Sequence, residues 1–125
     1  MITNSCLYIT DEQLSVKFYI EKLNFEQSST VTFDDGEKWW LLVGKENNCS
    51  RIILIKKHDN SGFKGSIIIN IVDCIYEYCR LKQTNIVELS EPKYCSIGLT
   101  ISFFDPEGNR IILLEERDYE EPFIL

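Results

Sequence analysis

Two adjacent tryptophans, Trp39 and Trp40, are the side chains best suited to binding a planar or cationic molecule. They stand in an apolar run at 38–43 that predicts a β-strand. Because neighbouring residues of a strand point to opposite faces, one ring should enter a cavity and the other should pack toward a helix or a partner subunit. A ring in a cavity could stack on an aromatic ligand or hold a cation. The alternative is that both rings are core or interface residues.

Side chains that usually ligate metals are few in this sequence. The single histidine, His58, falls in a polar connection at 58–65, where an exposed loop residue is the simplest interpretation. The five cysteines have no paired spacing, so we expect free thiols in a reducing cytoplasm. They are Cys6, Cys49, Cys74, Cys79 and Cys95.

Composition limits the partners of the chain. Its 125 residues, 44% of them hydrophobic, are enough for one domain with a core. A formal net charge of −7 disfavours nucleic acid, which needs clustered Lys and Arg, and mildly favours a neutral or cationic small ligand. No apolar run approaches the length of a membrane span, and the N-terminus lacks a signal-peptide pattern. We therefore expect a cytoplasmic protein that does not contact a membrane.

The predicted elements occur in the same order twice. In each half a strand leads into a helix capped by aspartate, Asp11 or Asp73, and the helices should stop near Asn24 and Asn85. The predicted strands are 5–10, 30–33, 38–43 and 51–56, then 66–72, 86–89, 98–104 and 110–115. The sequence therefore predicts a single domain, 1–125. Within it we expect a first module at about 1–57, a linker at about 58–65, a second module at about 66–116 and an acidic tail at 117–125.

The last two strands are joined by a tight turn. Pro106 presets φ at its second position, Asp105 can cap it, and Gly108 supplies positive φ before the return strand. Each of the two units is a sheet with a helix on one face. Their other faces would be exposed to solvent unless the two sheets curve together around a cleft.

These stretches resemble the vicinal oxygen chelate superfamily, which includes glyoxalase I, fosfomycin-resistance proteins, extradiol dioxygenases and bleomycin-resistance proteins. The matching segments are 10–11, 18–19, 23–26, 38–39 and 104–109, with Asn24 in place of the usual Gly. The resemblance implies an α+β fold in which two βαβββ modules form a cupped mixed β-sheet, the glyoxalase/bleomycin-resistance fold. It also implies a homodimer, and in most enzymes of the family a divalent metal in the cup.

The sequence departs from the family at the metal positions. The resemblance places ligands at Asn4, Ser66 and Ile112, and on a strand at 51–55 that offers only apolar side chains inward. None of these is a normal ligand for a divalent transition metal, which needs imidazole, thiolate or carboxylate. Cys6 could substitute, but a lone cysteine is more often a small core residue. We predict no metal and no other cofactor, and Ile112 removes the usual base for proton abstraction.

Strict alternation predicts which side chains share the cup. Besides a tryptophan, these are Asn4, Cys6, Tyr8, Ser66, Ile68, Asn70 and Ile112. Asn70 interrupts an isoleucine-rich strand, so it is either a buried structural amide with its own partners or a hydrogen-bonding group for a ligand. We expect Asp34, Asp35, Glu120 and Glu121 to be solvated surface.

Three functions fit these residues. The first is metal-independent binding of a small molecule, as in bleomycin resistance, which would sequester a cationic or aromatic compound and confer antibiotic resistance. The second is an enzyme with diverged metal ligands: a glyoxalase-like lyase, a thiol transferase or a dioxygenase. The third is a structural or regulatory dimer whose cup is filled by its own side chains. The missing ligands favour the first and disfavour an enzyme.

Overall fold

The structure is a computed structural model that describes residues 5–57 and 64–117. The first module contains β1 (Ser5–Tyr8), α1 (Glu12–Lys22), β2 (Phe25–Thr32), β3 (Lys38–Gly44) and β4 (Arg51–Lys56). The second module contains β5 (Ser66–Asn70), α2 (Cys74–Lys82), β6 (Lys93–Cys95), β7 (Gly98–Phe104) and β8 (Arg110–Glu116). Neither of the two helices in the described residues has the length and apolar character needed to cross a membrane.

Each module forms a four-stranded mixed sheet with the same topology. The strand orders are β1-β4-β3-β2 and β5-β8-β7-β6. The first strand of each module pairs in parallel with the last, and the remaining pairs are antiparallel. The prediction of two βαβββ modules in an α+β fold is therefore confirmed, and β1 of the first module lies beside β5 of the second.

Alternation along the strands separates two faces of each sheet. Leu7 and Leu54 of the first sheet are buried, as are Ile69 and Leu113 of the second, and all four belong to one hydrophobic core. Residues one position away along each strand occupy the opposite face, which we call the open face. On strands β1, β4, β5 and β8 the open face carries Cys6, Tyr8, Arg51, Ile53, Ile55, Ser66, Ile68, Asn70, Arg110, Ile112, Leu114 and Glu116.

Several predicted boundaries were right. The bounds of β4 and β7 match the predicted ranges, and Asn24 takes the left-handed conformation (φ 56°) expected just after the first helix. Strand β2 begins at Phe25, five residues before the predicted start, because the polar residues at 26–29 form an exposed edge with a register shift between Gln27 and Ser29.

The edge of the second sheet was predicted wrongly. We expected a strand at 86–89, but the edge strand is β6. Val87 makes only an isolated bridge to Phe104, and Glu88 has a positive φ of 54°, which interrupts an extended strand. Helix α2 also ends at Lys82, before Asn85, and Gln83 is its C-cap.

The turns of each module contact the helix N-terminus of the other. The Glu107 carboxylate accepts hydrogen bonds from the amides of Thr10 (2.6 Å) and Asp11 (3.3 Å), and from the hydroxyls of Thr10 and Ser15. In the other direction, Asn47 Oδ1 accepts from the amides of Val72 (3.1 Å) and Asp73 (2.8 Å). A carboxylate beside a helix N-terminus is favoured by the helix dipole. These contacts join the modules reciprocally.

Acid should weaken the contact that Glu107 makes. Partial burial of this carboxyl works to raise its pKa, but hydrogen bonds from Ser15, Thr10 and Asp11 lower the pKa below its usual 4.5. A carboxyl with a lowered pKa in the folded state adds stability above its usual pKa, and that stability disappears as the pH falls through the folded value. We expect Glu107→Gln to lower the free energy of unfolding by about 2 kcal/mol at pH 7, and by much less at pH 3.

Urea denaturation at the two pH values measures this difference. Glu26→Gln, which changes an exposed carboxylate on β2, is the matched control and should have little effect at either pH. An equal effect of Glu107→Gln at pH 7 and pH 3 would contradict the proposed role of the charge.

Candidate functional site

Aromatic side chains line one end of the open face of the first sheet. The register places Tyr8, Ile55, Trp39 and Val31 in one row across four strands. The Trp39 ring lies 5.1 Å from that of Phe33, between ring centroids and at 59°, and its Nε1 donates a hydrogen bond to Glu37 (2.6 Å). Trp39 is half-buried, so part of its ring remains available to a ligand.

The structure therefore separates the two tryptophans. Trp39 lies on the open face, whereas Trp40 is buried on the helix side with Leu54 beside it in the register. The Lys38 ammonium lies 4.9 Å from the centroid of the Trp40 ring, and Lys38 also pairs with Glu12 at 3.9 Å. A shallow groove of about 580 Å³ between α1 and β3 includes Trp40, Val16 and Ile20 in its lining. Of the two rings, only Trp39 points toward the candidate site.

Four of the predicted site residues are on the open face of the second sheet. Ile68 and Ile112 are paired with each other and Ser102 extends their row, while Ser66 pairs with Arg110 in the next row. Asn70 pairs with Leu114. Alternation thus predicted the positions of these side chains on one face, together with Cys6 and Tyr8 of the first sheet.

The open face also carries two arginines that our sequence interpretation missed. Strands β4 and β8 both begin with Arg-Ile-Ile-Leu, at 51–54 and 110–113. The two tetrapeptides are structurally equivalent, because Leu7 pairs with Leu54 as Ile69 pairs with Leu113. The expectation that 51–55 offers only apolar side chains inward was wrong, since Arg51 shares the open face with Ile53 and Ile55. Comparing the two halves residue by residue would have found this repeat.

A cleft of about 290 Å³ opens where the two modules meet on this face. The first module contributes Ser5, Ser50 and Arg51, and the second contributes Ile68, Asn70, Ile97, Leu114 and Glu116. Ser50 also holds the rim together, because its Oγ accepts a hydrogen bond from the Asn70 amide (2.7 Å). Glu116 could have been predicted, since it follows Ile112 and Leu114 at every second position of β8. Ile97 could not, because it stands in the turn before β7.

The structure decides between the alternatives for Asn70 and corrects one interpretation of Cys6. Asn70 is exposed in the cleft, so it is not a buried structural amide. Cys6 is an exposed thiol on the open face, so the interpretation of Cys6 as a small core residue was wrong. Asn4, His58, Glu120 and Glu121 lie outside the described residues, whereas Asp34 and Asp35 are exposed as expected.

Cys74 differs from the other cysteines. All five are free thiols, and Cys74 alone is buried. Burial first, and the nearby charge of Glu115 second, raise the pKa of the Cys74 thiol to about 11. A thiol with so high a pKa carries little thiolate at neutral pH and is a poor nucleophile and metal ligand.

The side chains at the family's metal positions do not fit a metal ion. Ser66 and Ile112 occupy two of these positions, and the central strand of the first module adds Ile53 and Ile55 on the same face. Across residues 5–57 and 64–117, no group of three or more His, Cys, Asp or Glu side chains is arranged to hold one. Alkyl and hydroxymethyl side chains supply neither the imidazole nor the carboxylate that a divalent transition metal requires.

Comparison with known sequences adds one relative. No protein-family model matches the chain. The uncharacterized protein YetH of Bacillus subtilis (strain 168) is 27% identical over 112 residues, which span 87% of this chain and 92% of YetH.

Solved structures with the same fold are numerous, and three illustrate their range. TnmS3, an antibiotic binding protein from Streptomyces sp. CB03234, superimposes with a TM-score of 0.76 at 19% identity, covering 94% of this chain and 96% of TnmS3. A glyoxalase/bleomycin resistance protein from the same organism gives 0.75 at 20% identity, covering 91% and 99%. The trypanothione-dependent glyoxalase I of Leishmania major gives 0.66 at 19%, covering 93% and 86%. These likenesses establish the glyoxalase/bleomycin-resistance fold.

Proposed function

We propose that this chain, which has the glyoxalase/bleomycin-resistance fold, binds a small organic molecule on its open face without a metal ion. The observation that carries the proposal is the cleft of about 290 Å³ between the modules; among the residues at 5–57 and 64–117 that line it, none has an imidazole or a thiol, and one has a carboxylate. A concave site with apolar walls and a few polar groups is typical of small-molecule binding. Ser66 and Ile112 at the metal positions support binding that does not depend on a metal.

The aromatic row supports a ligand that extends beyond the cleft. Trp39 and Tyr8 lie on the same face as Arg51, and Ile55 is four residues from Arg51 along β4. At a rise of about 3.3 Å per residue, the aromatic row is roughly 13 Å from the cleft. Trp39 could stack on a planar or cationic part of the ligand, which agrees with the net charge of −7. The name of TnmS3 as an antibiotic binding protein agrees with sequestration of such a compound.

We also propose that the chain forms a homodimer in the cytoplasm. Val87 and Tyr94 are large apolar side chains exposed along the free edge of the second sheet, where a second copy would cover them. Sedimentation equilibrium tests this proposal, and a monomer at micromolar concentration would contradict it.

A thermal-shift screen tests the proposed function. The panel contains cationic antibiotics, aromatic metabolites and thiols. Each compound is tested in two separate conditions, one with EDTA and one without EDTA but with added Zn²⁺, Ni²⁺ or Fe²⁺. We expect at least one compound to raise the melting temperature equally with EDTA and with metal, since a ligand that binds only the folded state stabilises it. Stoichiometric metal in the purified protein, or a response that requires metal, would contradict the proposal and favour an enzyme. A flat response across the panel would favour a structural dimer.

Thiol labelling locates the ligand on the molecule. Cys6 is exposed on the open face, and Cys79 is exposed on α2. Peptide mass spectrometry after brief alkylation should show that the ligand slows labelling of Cys6 and leaves labelling of Cys79 unchanged. Equal protection of both cysteines would indicate a general stabilisation, and protection of Cys79 alone would place the ligand elsewhere.

A further inference from the structure

The cleft between the modules contains two opposite charges that come from different halves of the chain. Arg51 begins β4 and Glu116 ends β8, and both line the cleft. Within residues 5–57 and 64–117, neither side chain belongs to an ion pair. Arg117 does not neutralise its neighbour Glu116, because its guanidinium lies 2.7 Å from the carboxylate of Glu115.

The cleft also has an apolar lining. Leu114 is buried in the wall of the cleft, whereas Ile68 and Ile97 remain 49% and 53% exposed. Exposed isoleucines beside a charged rim are typical of a surface that covers an apolar group of a ligand. Asn70 adds an amide that could hydrogen-bond to either end of a bound molecule.

The size of the cleft limits its occupant. A volume of about 290 Å³ corresponds to roughly ten water molecules at about 30 Å³ each, which suits a molecule of amino-acid size. The volume of the cleft is at or below the lower end of the range for pockets that bind drug-sized ligands. Arg51 and Glu116 are both exposed, so an occupant with one charge could pair with only one of them, whereas an occupant with two opposite charges could pair with both.

We propose that the cleft binds a zwitterion with an apolar side chain, such as a free apolar amino acid or its moiety in a larger ligand. The carboxylate of the ligand pairs with Arg51, its ammonium pairs with Glu116, and its side chain covers Ile68, Ile97 and Leu114. This inference rests on the proposed function, because it names the ligand class of the same open face. The amino-acid group occupies the cleft, and any aromatic part extends toward Trp39.

Leucine and its two singly charged analogues test the proposal. Titration calorimetry on the full chain compares leucine with isocaproate, which lacks the ammonium group, and isoamylamine, which lacks the carboxylate. We expect leucine to bind about 10- to 100-fold more tightly than either analogue, since each lost charged contact has about that effect. Arg51→Gln should weaken leucine and isocaproate but not isoamylamine, and Glu116→Gln should weaken leucine and isoamylamine but not isocaproate.

The internal repeat supplies the control. Arg110→Gln removes the equivalent arginine of the second module, which lies on the open face but outside the cleft, and should leave all three affinities unchanged. Circular dichroism checks that each variant is folded. Equal affinity for the three probes, or leucine binding that neither cleft variant weakens, would overturn the zwitterion proposal.

Other outcomes distinguish this proposal from the proposed function. If leucine does not bind but an aromatic or cationic compound does, and binding is insensitive to Arg51→Gln and Glu116→Gln, then the zwitterion proposal is wrong and the proposed function stands. If no probe and no compound of the screening panel binds, both are wrong.

Discussion

Replacing Asp105 by alanine is expected to lower the free energy of unfolding by about 3–5 kcal/mol. The carboxylate is 2% exposed and accepts four hydrogen bonds. The Tyr19 hydroxyl donates to it from the other module at 2.7 Å, the amides of Glu107 and Asn109 donate at 2.9 and 2.8 Å, and Asn109 Nδ2 donates at 3.0 Å. Alanine would leave all of these donors without their acceptor in a buried place, and urea denaturation followed by tryptophan fluorescence measures the loss.

The turn between β2 and β3 provides a matched control. Asp35 also accepts an amide hydrogen bond within its turn, from Glu37 at 2.9 Å, but it is exposed. Asp35→Ala should therefore cost less than about 1 kcal/mol, because water can replace the lost acceptor. Similar losses for the two variants would mean that Asp105 acts only within its turn. Tyr19→Phe, combined with Asp105→Ala in a double-mutant cycle, isolates the contact between modules.

Removing the guanidinium of Arg80 is the second change with a large expected effect. Glu77 is 3% exposed, and its carboxylate accepts from Arg80 at 2.5 Å and from Asn47 Nδ2 at 3.0 Å. Arg80 also donates to the Lys22 carbonyl of the first module at 2.6 Å. Because Arg80→Met leaves a buried carboxylate with Asn47 as its remaining donor, we expect a loss of about 2–4 kcal/mol in urea denaturation.

Two further variants establish the cause of that loss. Adding Glu77→Gln removes the uncompensated charge, so the double variant should be more stable than Arg80→Met alone. Arg117→Met breaks another close Arg–Glu pair, with Glu115, but Arg117 is more exposed than Arg80, so its effect should be much smaller than that of Arg80→Met. If the double variant were the least stable of the set, the lost packing of Arg80 would be the main effect.

The strands were predictable where side chains of one type dominate a run. The isoleucines and leucine at 52–55 identify β4 as a strand and leave no other element to choose. The run between Gly98 and the turn at Asp105 identifies β7 in the same way. Strand β6 has no such run. Its three residues are exposed and pair along one edge only, so the apolar segment at 86–89 was the stronger signal and the wrong one.

The face of the sheets on which the site lies was predictable, but several of the residues that line the site were not. Alternation indicated that Cys6, Ile68, Asn70 and Ile112 share a face, and this is what the register gives. It could not decide between Trp39 and Trp40, because both positions of a strand are compatible with an aromatic ring until the partner strands are known. The pairing of Arg51 with Glu116 in one cleft depends on how the modules meet, which no local pattern encodes.

The reciprocal contacts between turns and helices also determine how the chain could be divided. A cut between residues 57 and 64 would separate the amides of Thr10 and Asp11 from Glu107, and those of Val72 and Asp73 from Asn47. Each fragment would keep its own N-cap aspartate but would lack the hydrogen-bond acceptors that the other fragment supplies to the amides at its helix start. The two halves should consequently be poor folding units alone but should reassemble when mixed, and a chimera that exchanges one half must bring a turn and a helix start that match the half it keeps.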